Sequence, residues 1–296
     1  MHSQRLYIEL CKYTFILHSA LTGVSIMLKL LIICIVLMVL YLLAIRCRSG
    51  HPGLEALRGW NYAHRGLHNK PQVPENSMAA FRAALEHGYG IEFDLHLLKD
   101  GNLAIIHDSL LKRTTGAEGR IEDLTTDELS SYHLEGTEET IPTFRQLLDL
   151  YAGKAPLIIE LKPWGGNHQA LVDKAVAMME GYEGAWCMES FDPRCIQVLK
   201  KKYPNVIRGH LSENFLKNDP RMNKALAFVL SHYLTNFLTV PDFVAYRFDQ
   251  RNFSLSTRLC RKLWKAQGVT WTLRKAEDHP VAVEEGWLPI FENYIP

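Results

Sequence analysis

Read at a strand's period of two, IEFDLHL (residues 91–97) puts Ile91, Phe93, Leu95 and Leu97 on one face and Glu92, Asp94 and His96 on the other. Short apolar runs recur from about residue 58, separated by stretches with helical spacing. WNYAH (60–64) reads as a strand. ENSMAAFRAALEHG (75–88) reads as a helix with Met78, Phe81, Ala84 and Leu85 on one side and Gly88 at its end. IEFDL and LAIIH are the next strands, joined by the turn Lys99-Asp100-Gly101. Residues 109–141, rich in Thr, Gly and Glu, break the pattern and read as an excursion from the core. Helices TFRQLLDLYAG, HQALVDKAVAMMEG and PRCIQVLKKKY then alternate with strands APLIIELK and AWCMESF. Strand VIRGHLS leads into a long helix around MNKALAFVLSHYL (222–234). FVAYRF, VTWTL and LPIFENY close the chain as strands, with LSTRLCRKLWKAQG (255–268) and a short segment as the intervening helices.

Strands alternating with helices imply parallel strands and helical crossovers. About eight such units in roughly 240 residues predict an α/β fold of the (β/α)8 TIM-barrel type, with a small insertion at about 109–141. No G-x-G-x-x-G or G-K-[ST] follows the first strand, so a nucleotide-binding open sheet lacks its main support. The bland reading of Glu92 and Asp94 is a polar face in water. A parallel barrel buries both faces of its strands, and inward carboxylates there need a cation or donors.

The first fifty residues follow another pattern. No charged residue interrupts Leu30 to Ile45, a stretch close to the span of a bilayer core. No small-x-small site follows, and Arg46 and Arg48 stand where a signal peptidase would cut. A single transmembrane anchor is expected at 27–48, after an extension at 1–26 and before the barrel domain at 58–296. Counted from Met27, a natural start, the basic residues after the span (Arg46, Arg48, Arg58, Arg65) favour a cytoplasmic barrel. With Arg5 and Lys12 added to Lys29 ahead of the span, the counts nearly balance.

The formal charge of +1 over 296 residues offers no field for nucleic acid. The one basic run, Lys200 to Lys202, reads as a solvated helix C-terminus. The six cysteines form no C-x-x-C pair and favour a reducing compartment.

Barrel active sites lie at the C-terminal ends of the strands. Those ends carry His64 and Arg65, Glu92 and Asp94, His107, and Glu160 with Lys162. Three carboxylates without cysteine partners suit a hard divalent cation, Mg²⁺ or Ca²⁺, better than zinc. Arg65 and Lys162 suit the oxygens of a phosphate. His64 and His107 can serve as an acid–base pair.

These residues resemble the glycerophosphodiester phosphodiesterase family. The resemblance covers roughly 60–295 and rests on HRG (64–66), PENSMAAFRAALEHG (74–88), IEFDLHLLKDG (91–101), IIHD (105–108), LKRTTGAEG (111–119), IPTFRQLL (141–148), IIELK (158–162) and VTWTL (269–273). It implies a TIM barrel with an inserted segment, catalytic His64 and His107, metal-binding Glu92, Asp94 and Glu160, and phosphate-contacting Arg65 and Lys162. The implied reaction splits glycerophosphodiesters into glycerol 3-phosphate and an alcohol, with Ca²⁺ or Mg²⁺. A lysophospholipid is the alternative substrate, made plausible by the anchor. A catalytically inactive tethered binding protein is the rival from another class, but all five groups it would lack are present. Two departures stand out: Arg274 follows VTWTL where many members carry Asn, and the last strand reads WLPIFENYIP without the usual Asp-Gly pair. They bear on the substrate's non-reacting end, where Trp271 and Phe191 are read as lining and where plain barrel packing is the other reading.

Overall fold

The computed structural model describes residues 2–296; within the first helix, the side chains at 2–6, 8–11, 13, 16, 17, 19–21 and 23 are outside the description. Met1 as a start and Arg5 in the charge count therefore fall outside the described residues. The chain forms two compact units, 1–44 and 45–296.

The first unit is one helix, α1 (His2–Ala44). Its last 21 residues, Val24–Ala44, have a mean hydropathy of 3.0, long and apolar enough to cross a bilayer once.

The second unit is built on nine strands among the described residues: β1 (Tyr62–His64), β2 (Gly90–Leu97), β3 (Leu103–Ile105), β4 (Leu157–Leu161), β5 (Trp186–Ser190), β6 (Arg208–Ser212), β7 (Phe243–Arg247), β8 (Gln267–Leu273) and β9 (Trp287–Phe291). Eight run parallel and close into a barrel, since β1 pairs with both β2 and β9. The expected TIM barrel is therefore present. β3 lies outside the ring, antiparallel to β2, with Leu95 opposite Ile105.

Strand alternation separates two cores. Ile91, Phe93, Leu95, Ile159 and Leu161 pack outward on helix residues such as Phe81, Leu147, Leu171 and Ile196. Inside the barrel, Tyr62, Ile158, Cys187, Leu211 and Phe243 fill the space. Gly209 faces Phe243, whose ring would lie 1.9 Å from an added Cβ, so this interior position admits no side chain. Burying each large apolar side chain contributes roughly 1.5–3 kcal/mol. A third cluster, including Leu98, Ile106, Leu111, Ile121 and Leu124, holds the insertion together.

The second unit starts at Ile45, earlier than the expected boundary at 58. Ile45 and Cys47 are buried, and Leu54 and Leu57 of the turn Pro52–Leu57 plug the barrel's N-terminal end. Tyr62 Oη donates to the Leu57 carbonyl at 2.6 Å. Arg48, read above as a flanking charge, forks onto buried Asp242 at 2.5 and 2.6 Å, just before β7. The long helix around 222–234 is instead an eight-residue helix, Lys224–Ser231, because Tyr233 turns left-handed at φ 55°. The helix expected over 255–268 likewise spans Leu255–Lys262, and Lys265 at φ 55° leads into β8.

Candidate active site

The turn after β1 sets the geometry. Arg65 (φ 56°) and Gly66 (φ 79°) are both left-handed. A Cβ on Gly66 would lie 2.8 Å from Ala80 Cβ, so close approach of the next helix demands glycine there. The turn brings residues 75–77 back over the strand ends. Asn76 N–H donates to the Arg65 carbonyl at 2.9 Å, and Ser77 caps the helix by accepting from Ala80 N–H at 3.1 Å. Buried Glu75 accepts from Arg65 Nη1 at 2.8 Å, from Arg113 Nη2 at 2.6 Å and from Lys70. Asn76 Nδ2 donates to Asp94 Oδ2 at 2.9 Å.

Glu92, Asp94 and Glu160 are all buried, and each offers an oxygen within 4.8 Å of the others. Register explains the convergence: Asp94 pairs with Glu160, and Glu160 with Glu189, across β2, β4 and β5. Lys162 Nζ sits 3.1 Å from Asp94 Oδ1 and 2.6 Å from Glu160 Oε1, and Arg65 Nε is 3.5 Å from Asp94 Oδ2. These are ion pairs without hydrogen-bond geometry, so Asp94 Oδ1 and Glu160 Oε1 remain buried without a hydrogen-bond partner.

Four carboxylates thus share two cations. Burial, followed by repulsion from Asp94 and Glu160, pushes Glu92 well above the usual carboxylate range. Burial and then Glu160 do the same to Glu189. Burial pushes Glu160 up to about 7 against the pull of Lys162. Burial opposes ionisation of Asp94 too, but Lys162, His107 and Arg65 outweigh it and hold Asp94 low. An all-oxygen donor set with unpartnered oxygens and surplus negative charge fits a hard divalent cation. The cluster is a potential metal centre.

His64 ends β1, with Nδ1 2.5 Å from Glu292 Oε2 and Nε2 3.8 Å from Glu92 Oε2. Burial, then Arg65, lowers its pKa to about 4, so His64 is neutral at physiological pH. His107 follows β3, with Nδ1 2.6 Å from Asp108 Oδ1, and Asp108 is held in turn by Arg113. Burial and then Lys162 lower His107 as well, while Asp94 and the Asp108 hydrogen bond oppose them. Both histidines line one cavity of about 40 Å³ with Arg65, Glu92, Glu160, Glu189, Phe191 and Trp271. A larger cleft of about 830 Å³ shares His107, Glu160 and Phe191 with it, and is walled by Lys162, Leu110, Pro163 and Trp164. Phe191 meets Trp271 edge-on at 5.4 Å, and Trp271 Nε1 is buried without a partner.

Every candidate residue read from the sequence therefore lies at or beside this mouth. His96, on the polar face of β2, turns instead to Glu122 of the insertion at 2.7 Å. Sequence reasoning missed Glu189, Glu292, Glu75 and Asn76. The last two lie inside the PEN motif, so that signal was available, whereas Glu189 shows itself only through its register against Glu160. Glu292 had none, since it follows the last strand in a segment that departs from the expected pattern.

Fold and site together define a class: a TIM-barrel protein whose strand ends bring acid–base groups, a carboxylate cluster and anion-binding cations to one mouth. The chain belongs to the glycerophosphoryl diester phosphodiesterase family, whose model matches residues 64–295. A glycerophosphodiester phosphodiesterase from Caldanaerobacter subterraneus subsp. tengcongensis is 34% identical over 159 residues, which is 50% of this chain and 65% of that protein. A lysophospholipase D from Rattus norvegicus is 30% identical over 134 residues, 41% of each chain. The chain spans just under two thirds of the length of the first curated relatives it matches. A phosphodiesterase from Oleispira antarctica, solved in complex with the product sn-glycerol-3-phosphate, shares the fold with a TM-score of 0.65 at 21% identity, covering 83% of this chain and 95% of that one.

Proposed function

We propose that this chain is a metal-dependent phosphodiesterase that hydrolyses glycerophosphodiesters to glycerol 3-phosphate and an alcohol. The observation that carries the reading is the meeting of His64, His107, Arg65, Glu92 and Glu160 in one cavity, with Lys162 paired to its acids. Glu92, Asp94 and Glu160 would hold one divalent cation, Mg²⁺ or Ca²⁺. When bound it supplies charge that stabilises the phosphate oxygens in the transition state.

Arg65 and Lys162 hold the non-bridging oxygens, one as a planar fork and the other as a point charge. His64 takes the proton from the attacking hydroxyl as its oxygen bonds to phosphorus: water gives glycerol 3-phosphate directly, whereas the 2-hydroxyl of the glycerol gives a cyclic phosphate that a water then opens. His107 gives a proton to the alkoxide as the P–O bond breaks. Its position supports that order, because His107 borders both the small cavity and the large cleft where an alcohol has room to leave. A phosphodiester anion beside the imidazole raises its proton affinity and offsets the effect of burial. Trp271 and Phe191 line the substrate.

A lysophospholipase D-like reaction is the second reading, favoured by the apolar span and by Leu110, Pro163 and Trp164 along the large cleft. In the proposed organisation the extension is 1–26, the anchor is 27–44 rather than the expected 27–48, because Ile45, Cys47 and Arg48 pack in the barrel unit, and the catalytic domain is 58–296. Residues 45–57 pack in the same compact unit as that domain, which is proposed to be cytoplasmic.

The test uses the full chain in detergent micelles, stripped with chelator and resupplied with Mg²⁺ or Ca²⁺. Glycerol 3-phosphate release from glycerophosphocholine should require the cation and should fall about 10²- to 10⁴-fold in His107→Ala. Release that ignores the cation, or less than tenfold loss in both His107→Ala and His64→Ala, overturns the assignment. Preference for lysophosphatidylcholine in vesicles over its deacylated counterpart would select the second reading.

A further inference from the structure

The two departures at the end of the barrel touch each other, and one of them, through Glu292, touches His64. Arg274 Nε donates to Glu292 Oε1 at 2.5 Å, and Glu292 Oε2 lies 2.5 Å from His64 Nδ1. His68 Nε2 stands 3.8 Å from the same oxygen. His64, His68 and Glu292 also bring three potential ligand atoms within 4.8 Å. The 2.5 Å separation makes His64 and Glu292 a direct hydrogen-bonded pair, while His68 at 3.8 Å stands beyond hydrogen-bond reach.

We infer that Glu292 is a positioning residue: its carboxylate accepts the Nδ1 proton of His64 and so keeps the Nε2 lone pair turned toward the phosphate site. The reasoning is one of donors and acceptors. An ionised carboxylate only accepts, so a neutral His64 bonded to it carries its proton on Nδ1. Nε2 is then the free base, and it points toward Glu92, 3.8 Å away. Arg274 can never accept, so it always claims one Glu292 oxygen and orients the carboxylate edge. Neither residue touches the scissile bond in this account. Both act through the ring of His64. The inference rests on His64 serving as the base, but its structural half, the tautomer, stands without that role.

This arrangement makes an unusual pattern of variants decisive. In Glu292→Gln the side chain keeps one oxygen, and Arg274 takes it. The amide NH₂ then faces His64 Nδ1 and donates to it, which forces the proton onto Nε2. The base is lost although its position is unchanged. Removing Arg274 as well lets the amide turn over, because position 274 is half-exposed and water can serve the NH₂. The Gln oxygen then accepts from Nδ1–H, and the useful tautomer returns.

The experiment compares wild type, Glu292→Gln, Arg274→Leu and the double variant as full-length protein in micelles. One readout is kcat and KM on glycerophosphocholine. The other is the long-range ¹H–¹⁵N correlation of ¹⁵N-histidine-labelled protein, which distinguishes Nδ1–H from Nε2–H. Glu292→Gln should lose about 10²- to 10⁴-fold in kcat with KM nearly unchanged. Arg274→Leu should lose less than tenfold, and the double variant should recover at least tenfold over Glu292→Gln. His64 should read as Nδ1–H in wild type, Nε2–H in Glu292→Gln and Nδ1–H again in the double variant. A double variant no better than Glu292→Gln, or a tautomer that Glu292→Gln leaves unchanged, overturns the inference. Should the wild type release no glycerol 3-phosphate, the proposed reaction fails, and the tautomer pattern alone decides the role of Glu292.

Discussion

Replacing Glu75 with Gln tests how Arg65, the proposed phosphate contact, is held. Glu75 is 3% exposed and meets Arg65, Arg113 and Lys70, whose side chains are 16, 43 and 38% exposed. The half-exposed pair recover water when the charge is removed, so each contributes about 0.5–1 kcal/mol after screening. The Arg65 contact is the buried one, and a charge-assisted hydrogen bond of that kind contributes about 1.5–3 kcal/mol. The sum, roughly 2.5–5 kcal/mol, overlaps the typical cost of breaking a buried pair. For a unit of this size that lowers Tm by roughly 5–20 °C. Arg65 also loses its orientation, so KM should rise more than kcat falls. The pH dependence carries a sign. Burial opposes ionisation of Glu75, but Arg113, Arg65 and Lys70 prevail and hold its pKa far below the usual carboxylate range. A depressed folded pKa stabilises above the unfolded value and is lost as pH falls. The Tm gap between wild type and Glu75→Gln should therefore stay constant from pH 7.5 to about 5. Below 4.5 it should narrow by about 1.4 kcal/mol per pH unit. Thermal melts of the full chain across that range measure it. A gap under 2 °C at pH 7.5, or one that widens in acid, would refute the reasoning.

Two further outcomes are expected. Adding Mg²⁺ or Ca²⁺ to chelator-treated protein should raise Tm, by an amount equivalent to about 2.7 kcal/mol at one hundred times Kd. Glu160→Gln should abolish that response in a melt, and an undiminished response would remove Glu160 from the cation site. Arg48→Leu leaves buried Asp242 without its guanidinium partner, although the Arg208 backbone N–H still donates to Oδ2 at 3.0 Å, so urea unfolding should show a loss of about 3–5 kcal/mol. A loss below 1 kcal/mol would show that the fork at the barrel's N-terminal end contributes little.

Much of this was legible along the chain, and the limits have physical causes. The alternation in IEFDLH and IIELK announces inward carboxylates because a barrel strand has no solvent face. Glu189 was harder to read, since a single acid in an otherwise apolar strand resembles an ordinary strand end; only its register against Glu160 reveals it. Glu292 and Arg274 acquire meaning through contacts with residue 64 that no local pattern encodes. Residues 45–48 read as the tail of the anchor because contacts of Cys47 with Asn236 and of Ile45 with Cys260 depend on chain folded about two hundred residues later. The helix around 222–234 ended early for a local reason, the left-handed Tyr233, which apolar periodicity does not register.

The two histidines are mounted on different foundations. His64 ends a strand inside the ring, locked by neighbours on both sides. His107 follows β3, which pairs with β2 along one edge, has an isolated bridge from Ala104 to Thr143 on the other, and continues into an insertion with its own apolar cluster. Local opening follows such cooperative units. The pair therefore works only while two semi-independent bodies stay in register, and warming can part them before the ring itself gives way. Heat inactivation in this architecture is a loss of alignment first and a loss of fold second.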